Sequence, residues 1–168
     1  MLLLLNSYLY SNSQSSLSRG DKQWNAGLGI STFGLPVYLG IDYGLRRNVT
    51  LNGEVSFHRD LYYKSSLKNM LGMVTRVDYH FNTLINIPPA WDLYLGLNLG
   101  LYTFFDRNYP ATAAVGIGGH LGGRYFFNDK IGLNMEFGTG GQNLAGVKIG
   151  ITSRILPKKR KKKKTTSS

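Results

Sequence analysis

From Leu93 to Leu101 every second residue is leucine, and Tyr94, Gly96, Asn98, Gly100 and Tyr102 occupy the other parity. A repeat of two belongs to a β-strand with two unlike faces. On a helix the same leucines would point in all directions.

The pattern recurs along the chain. Trp24, Ala26, Leu28 and Ile30 alternate with Asn25, Gly27, Gly29 and Ser31. After a turn at Phe33-Gly34-Leu35-Pro36 comes the stripe Val37, Leu39, Ile41, Tyr43, Leu45, opposite Tyr38, Gly40, Asp42, Gly44 and Arg46. A polar turn, Arg46-Arg47-Asn48, leads to Val49, Leu51, Gly53, Val55 and Phe57, opposite Thr50, Asn52, Glu54, Ser56 and His58. The fourth segment sets Met73, Thr75, Val77, Tyr79 and Phe81 against Arg76, Asp78 and His80; the leucine strand is the fifth. The sixth sets Val115, Ile117, Leu121 and Tyr125 against Gly116, Gly118, His120, Gly122 and Arg124. Asn128-Asp129-Lys130 reads as a tight turn. The seventh sets Ile131, Leu133, Met135 and Phe137 against Gly132, Asn134 and Glu136. The eighth sets Val147, Ile149, Ile151 and Ile155 against Lys148, Gly150, Thr152 and Arg154.

Eight such strands predict an all-β fold, a closed antiparallel up-and-down eight-stranded barrel. Two barrels share this alternation. A soluble lipocalin-like, lipid-binding barrel turns the stripes inward; a transmembrane barrel turns them outward. The polar face favours the second. It is mostly glycine with Asn, Ser, Thr and Tyr, as a narrow lumen requires, where a wetted sheet would carry many Lys and Glu. Its charges come in near-balanced signs: Asp42, Glu54, Asp78 and Glu136 against Arg46, Arg76, Arg124, Lys148 and Arg154. In a lumen they are expected to pair, with His58, His80 and His120 as hydrogen-bond partners, because unpaired buried charge is very costly. Trp24, Tyr43, Tyr79, Phe81, Trp91, Tyr125 and Phe127 fall at one end of the strands in up-and-down order, and Phe57 and Phe137 near the other. Aromatic girdles of that kind mark the two interfaces of a membrane barrel.

Composition agrees. The net charge of +11 is inflated by the run Lys158–Lys164, which holds seven of the 20 basic residues; 13 then remain against nine acidic. The rest of the chain is charged at about one residue in seven, against about one in four in a typical soluble protein. There is no cysteine, hence no disulfide and no thiolate metal site. No apolar run reaches the ~18 residues of a spanning helix, so any crossing must use strands closed into a barrel.

The domain reading is a signal-like or disordered segment at 1–22, a barrel at 23–156 and a basic disordered tail at 157–168. Met1–Ser18, opening Leu2-Leu3-Leu4-Leu5, reads either as a degenerate secretory signal peptide or as a plain tail, and is expected to lie outside the fold. The tail read alone resembles a nucleic-acid patch; a solvated tail, or one touching anionic headgroups, suits a barrel better, and no nucleic-acid partner is expected. Gly116-Ile-Gly-Gly-His-Leu-Gly-Gly lies within a strand and is no phosphate loop. The histidines lack metal-ligand spacing. No cofactor, metal or catalytic residue is expected, and the protein is read as a non-enzyme.

Residues His120-Leu-Gly-Gly-Arg-Tyr-Phe-Phe-Asn-Asp-Lys-Ile-Gly-Leu-Asn-Met-Glu-Phe-Gly, Gly146-Val-Lys-Ile-Gly-Ile-Thr and Asn86-Ile-Pro-Pro-Ala-Trp-Asp-Leu-Tyr-Leu-Gly-Leu-Asn-Leu-Gly resemble the small eight-stranded outer-membrane barrels, OmpX/OmpA-like in the version common among Bacteroidetes-type bacteria. The resemblance covers about residues 23 to 155. It implies a Gram-negative-type outer membrane, with both termini and the turns at 46–48 and 128–130 in the periplasm. The 82–90 connection is long for a periplasmic turn. Loops 59–70 and 104–113 would be extracellular, with Tyr62, Tyr63, Lys64, Phe104, Phe105, Arg107 and Tyr109 as candidate contacts to a ligand or protein. The expected function is a monomeric, lipid-embedded structural or surface-interaction barrel with a side-chain-filled polar lumen. A narrow, porin-like pore or carrier for small solutes is the alternative.

Overall fold

A computed structural model of the chain describes residues 16–60, 69–106, 109–140 and 144–155. Eight strands follow one another: β1 (Lys22–Ser31), β2 (Leu35–Arg46), β3 (Val49–Arg59), β4 (Asn69–His80), β5 (Trp91–Phe105), β6 (Thr112–Phe126), β7 (Ile131–Gly140) and β8 (Leu144–Ile155). Each pairs antiparallel with the next, and β8 returns to β1 in the register Lys22↔Ile155 through Ser31↔Gly146, so the barrel closes. Closure gives each strand a partner on both sides over the shared registers, the arrangement that hydrocarbon demands of backbone donors and acceptors.

The strands run from 10 to 15 residues, enough to cross a bilayer at a tilt, which takes roughly 9 to 11. Among the described residues no helix is long and apolar enough to cross a membrane. One end, the turn end, gathers the entry to β1, the exit of β8 and the connections β2–β3, β4–β5 and β6–β7; the loop end gathers the others. At the β6–β7 turn Asn128 Oδ1 accepts from Lys130 N at 2.9 Å and Ile131 N at 2.8 Å, the Asx geometry its sequence suggests. The β1–β2 turn needs Gly34, whose φ of 132° is closed to residues with a Cβ.

The faces divide as the alternation predicts. Leu97 is 71% exposed and its neighbour Asn98 only 8%. Leu95, Leu99, Ile117, Leu121, Ile149 and Ile151 likewise stand outside the barrel, while Asp42, Thr50, His80 and Thr152 are sealed inside. An aliphatic surface of this extent is not a water-facing surface; the barrel is built to stand in lipid. The lipocalin-like alternative fails here, because it needs the leucines inside.

The fold also takes in part of the segment expected to lie outside it. Leu17 and Ser16 are buried, Gly20 N donates to Gly44 O at 2.8 Å, and Gly44 N donates to Asp21 O at 2.9 Å. A Cβ at Gly44 would strike the Ser18 carbonyl, so glycine permits this close approach.

Candidate functional site: the barrel lumen

Inward parity on eight strands brings residues far apart in sequence into one column. At its centre Arg76, on β4, reaches across to β7. Its Nη1 donates to Glu136 Oε1 and Oε2 at 2.5 and 2.6 Å, its Nη2 pairs with Glu54, and its Nε donates to Asn52 Oδ1 at 3.1 Å. Lys148 Nζ donates to both Glu54 oxygens at 2.9 Å and lies 2.8 Å from Glu136 Oε1. Two cations and two carboxylates thus form a closed quartet. Tyr94 Oη adds a bond to Glu136 Oε2 at 3.2 Å.

Toward the turn end Arg124 spans two carboxylates, Asp42 at 2.6 Å and Asp92 at 3.0 Å. Gln23 Nε2 donates to Asp42 at 2.7 Å, and Asn52 Nδ2 donates to the same carboxylate. Asn52 therefore joins this group to the central quartet. Asp92 bonds His80 Nδ1 at 2.7 Å and accepts from Asn82 Nδ2 at 2.9 Å; His80 Nε2 meets Thr50 Oγ1 at 3.0 Å. His120 Nε2 pairs with Asp78 at 2.8 Å. Aromatic rings support the cations: Arg124 lies 4.3 Å from the Tyr94 ring centre and Arg154 3.8 Å from that of Phe126. Such a network is costly to break, since losing one member strands another in low dielectric.

Glycine makes the packing possible. A Cβ at Gly122 would run into the Tyr94 ring, and one at Gly96 would collide with Asp78 and the His120 ring. The barrel is narrow enough that Tyr94, Tyr102 and the Asp78–His120 pair claim the space above residues that have no side chain.

Toward the loop end the lumen opens into a cavity of about 80 Å³, lined among others by Glu54, Ser56, His58, Asn98, His120 and Lys148. That is room for roughly five waters. Below the quartet lies a small pocket of about 10 Å³, between Asn25, Tyr38, Asn134 and Arg124. Beside the upper cavity Met70, Tyr102, Phe33, Val74 and Phe104 form a small apolar cluster, with Phe33 and Phe104 rings 5.5 Å apart. The two ring nitrogens of His58 face Ser56 Oγ at 3.0 Å and Ser31 Oγ at 3.4 Å. Among the described residues no carboxylate is bonded to that ring, as the third member of a nucleophile–base–acid relay would be. Among the described residues no three His, Cys, Asp or Glu side chains converge as metal ligands.

The family model described as "Domain of unknown function (DUF2715)" matches residues 10–155. The chain belongs to this family. Among curated proteins nothing matches this DUF2715 barrel. Solved structures do. OprG of Pseudomonas aeruginosa superposes with a TM-score of 0.69 at 14% identity, over 85% of this chain and 99% of that one. The N-terminal β-barrel domain of OprF, also from Pseudomonas aeruginosa, gives 0.64 at 14%, over 83% and 100%. Ail, the attachment invasion locus protein of Yersinia pestis, gives 0.53 at 13%, over 82% and 99%. At such identities the likeness concerns fold: this DUF2715 barrel has the fold of small outer-membrane barrels of Gram-negative bacteria.

Of the residues expected in the lumen, Asp42, Glu54, Arg76, Asp78, Arg124, Glu136 and Arg154 are buried there, and Lys148 is half-buried in the quartet. Arg46 is a correction. The β2–β3 ladder shifts register between Gly44 and Arg46, so Leu45 is an extra residue and Arg46 pairs with outward-facing Val49; its side chain is exposed. Asp92, the hub of the Arg124 and His80 contacts, lies outside the set of lumen charges the sequence suggests, although it shares its parity with Tyr94. The aromatics Trp24, Tyr43, Tyr79, Trp91, Tyr125 and Phe127 are exposed on the turn-end exterior, and half-buried Phe81 packs on Tyr79 at 5.6 Å. Of the loop residues, Tyr62, Tyr63, Lys64 and Arg107 lie outside the described residues. Phe105 and Tyr109 are exposed. Phe104 is instead half-buried against the Met70–Tyr102 cluster, because β5 continues to Phe105 and carries it inward.

Proposed function

We propose that this protein is a monomeric outer-membrane barrel with a structural or surface-interaction role, OmpX/OmpA-like in having a lumen filled by side chains, and not an enzyme. The turn end faces the periplasm and the loop end the exterior. The observation that carries this reading is the quartet of Arg76, Lys148, Glu54 and Glu136, which fills the cross-section between a cavity of about 80 Å³ and one of about 10 Å³. A solute passing through would have to break several charge-assisted bonds at once. Recognition then falls to the loop end, through loops 59–70 and 104–113, where Phe105 and Tyr109 are exposed. Another barrel of this fold takes a ligand: Ail is known in complex with the heparin analogue sucrose octasulfate.

The upper cavity supports the second reading, a narrow pore or carrier. Conductance across planar bilayers separates the two. The proposal expects a silent bilayer; steady single-channel steps from the purified full chain would establish the pore instead.

A further inference from the structure

The lumen and loops leave unused a set of exposed side chains at the turn end. Arg46 and Arg47 on the β2–β3 turn are both exposed, and neither forms an ion pair among the described residues. The β4–β5 connection, long for a hairpin at this end, exposes Leu84 and Ile85, each at 65%. The two elements are fastened together. Asn48 Nδ2 donates to Thr83 Oγ1 at 2.6 Å, and His80 N donates to Asn48 O at 2.9 Å. From the other side Ser16 Oγ donates to Arg47 O at 2.9 Å. The connection itself coils, with Leu84 N donating to Phe81 O at 2.8 Å, and Asn86 at a φ of 49° ends the coil.

This assembly lies just beyond the girdle residues Tyr43, Tyr79 and Phe81, at the level where headgroups begin. Two aliphatic side chains would dip toward acyl chains while two guanidiniums reach phosphates, which Arg binds in bidentate fashion. The wider rim has the same sign. Exposed Arg19, Lys22 and Lys130 outnumber Asp21 and Asp129, and the last strand ends at Ile155, paired with Lys22; in the sequence the run Lys158–Lys164 follows.

We propose that the turn end carries a binding surface for anionic phospholipid, built by Arg46 and Arg47 together with Leu84 and Ile85. The proposal rests on the membrane reading above, and its test separates the two. The chain has two tryptophans, Trp24 and Trp91, both in the turn-end girdle. In a Trp24→Phe background Trp91, which directly follows the β4–β5 connection, is the only reporter.

The full chain is reconstituted in phosphatidylcholine vesicles containing either brominated phosphatidylglycerol or brominated phosphatidylcholine, and quenching of Trp91 gives the relative affinity for the two lipids. Stronger quenching by the anionic lipid, lost at high salt, is the expected result. Arg46→Gln with Arg47→Gln should lower the preference by about fivefold or more, the factor equivalent to ~1 kcal/mol for one surface cation. Leu84→Ser with Ile85→Ser should weaken quenching by both lipids. Equal quenching of the parent protein by the two lipids overturns the proposal and leaves the barrel in its membrane; quenching by neither overturns the membrane reading itself. A preference that survives the arginine changes but disappears when residues 157–168 are removed assigns the effect to the tail and overturns the proposal as well.

Discussion

Leu97 and Asn98 are consecutive residues of β5, yet they live under different rules. Leu97 projects into fluid hydrocarbon, where any aliphatic group of similar size serves. Asn98 projects into a lumen where its Nδ2 donates to Thr139 O at 3.0 Å and where Arg76, Glu54, Glu136 and Lys148 hold one another in place. The outer face requires only a kind of residue; the inner face requires particular ones. That difference is why Leu, Ile and Val alternate around the exterior without set partners, while inward residues such as Arg76 with Glu136 and Arg124 with Asp42 are matched across the lumen.

The sharpest way to break the inner face is to remove its centre. Arg76→Met leaves Glu54 and Glu136 sharing a single cation, Lys148, and should cost about 3–5 kcal/mol, measured by urea unfolding of the protein in lipid vesicles. On the outer face Leu97→Arg should cost roughly 2–4 kcal/mol, the penalty for a cation near mid-bilayer, in the same assay. Gly122→Ala forces a Cβ against the Tyr94 ring and should cost about 1–3 kcal/mol. Asn98→Ala, next to the Leu97 site but facing the polar cavity, should lose only the bond to Thr139, about 1 kcal/mol. Leu97→Ile should shift stability by no more than about 0.5 kcal/mol, as for a surface position without a special partner.

Period-two alternation made the strands and their faces legible, because one parity is continuous grease and the other is glycine and paired ions. Three things were not legible, each for a physical reason. Arg46 defies its sequence parity because a single extra residue, Leu45, reverses the alternation at the end of β2, and alternation counted along one strand cannot show a bulge that exists only relative to its partner. Phe104 reads as loop because Tyr102-Thr103-Phe104-Phe105 breaks the leucine alternation, although the β4–β5 ladder continues through Asn69↔Phe105. The partnerships across the lumen, such as Tyr38 Oη donating to Asn134 Oδ1 at 2.6 Å over 96 residues of sequence, depend on strand tilt and stagger, which no single strand encodes. Asp92 differs from these: its parity was available, and its place at the strand's edge beside Trp91 hid it.

The central claim is the polarity of the barrel wall, and the chain is suited to testing it because it contains no cysteine that would need removing. Single cysteines placed in turn at positions 95 to 101, spin-labelled and reconstituted in lipid, report collision with oxygen dissolved in the acyl region. The account predicts high oxygen accessibility at 95, 97, 99 and 101 and low accessibility at 96, 98 and 100. High accessibility at the even positions, or none of this alternation, would contradict it.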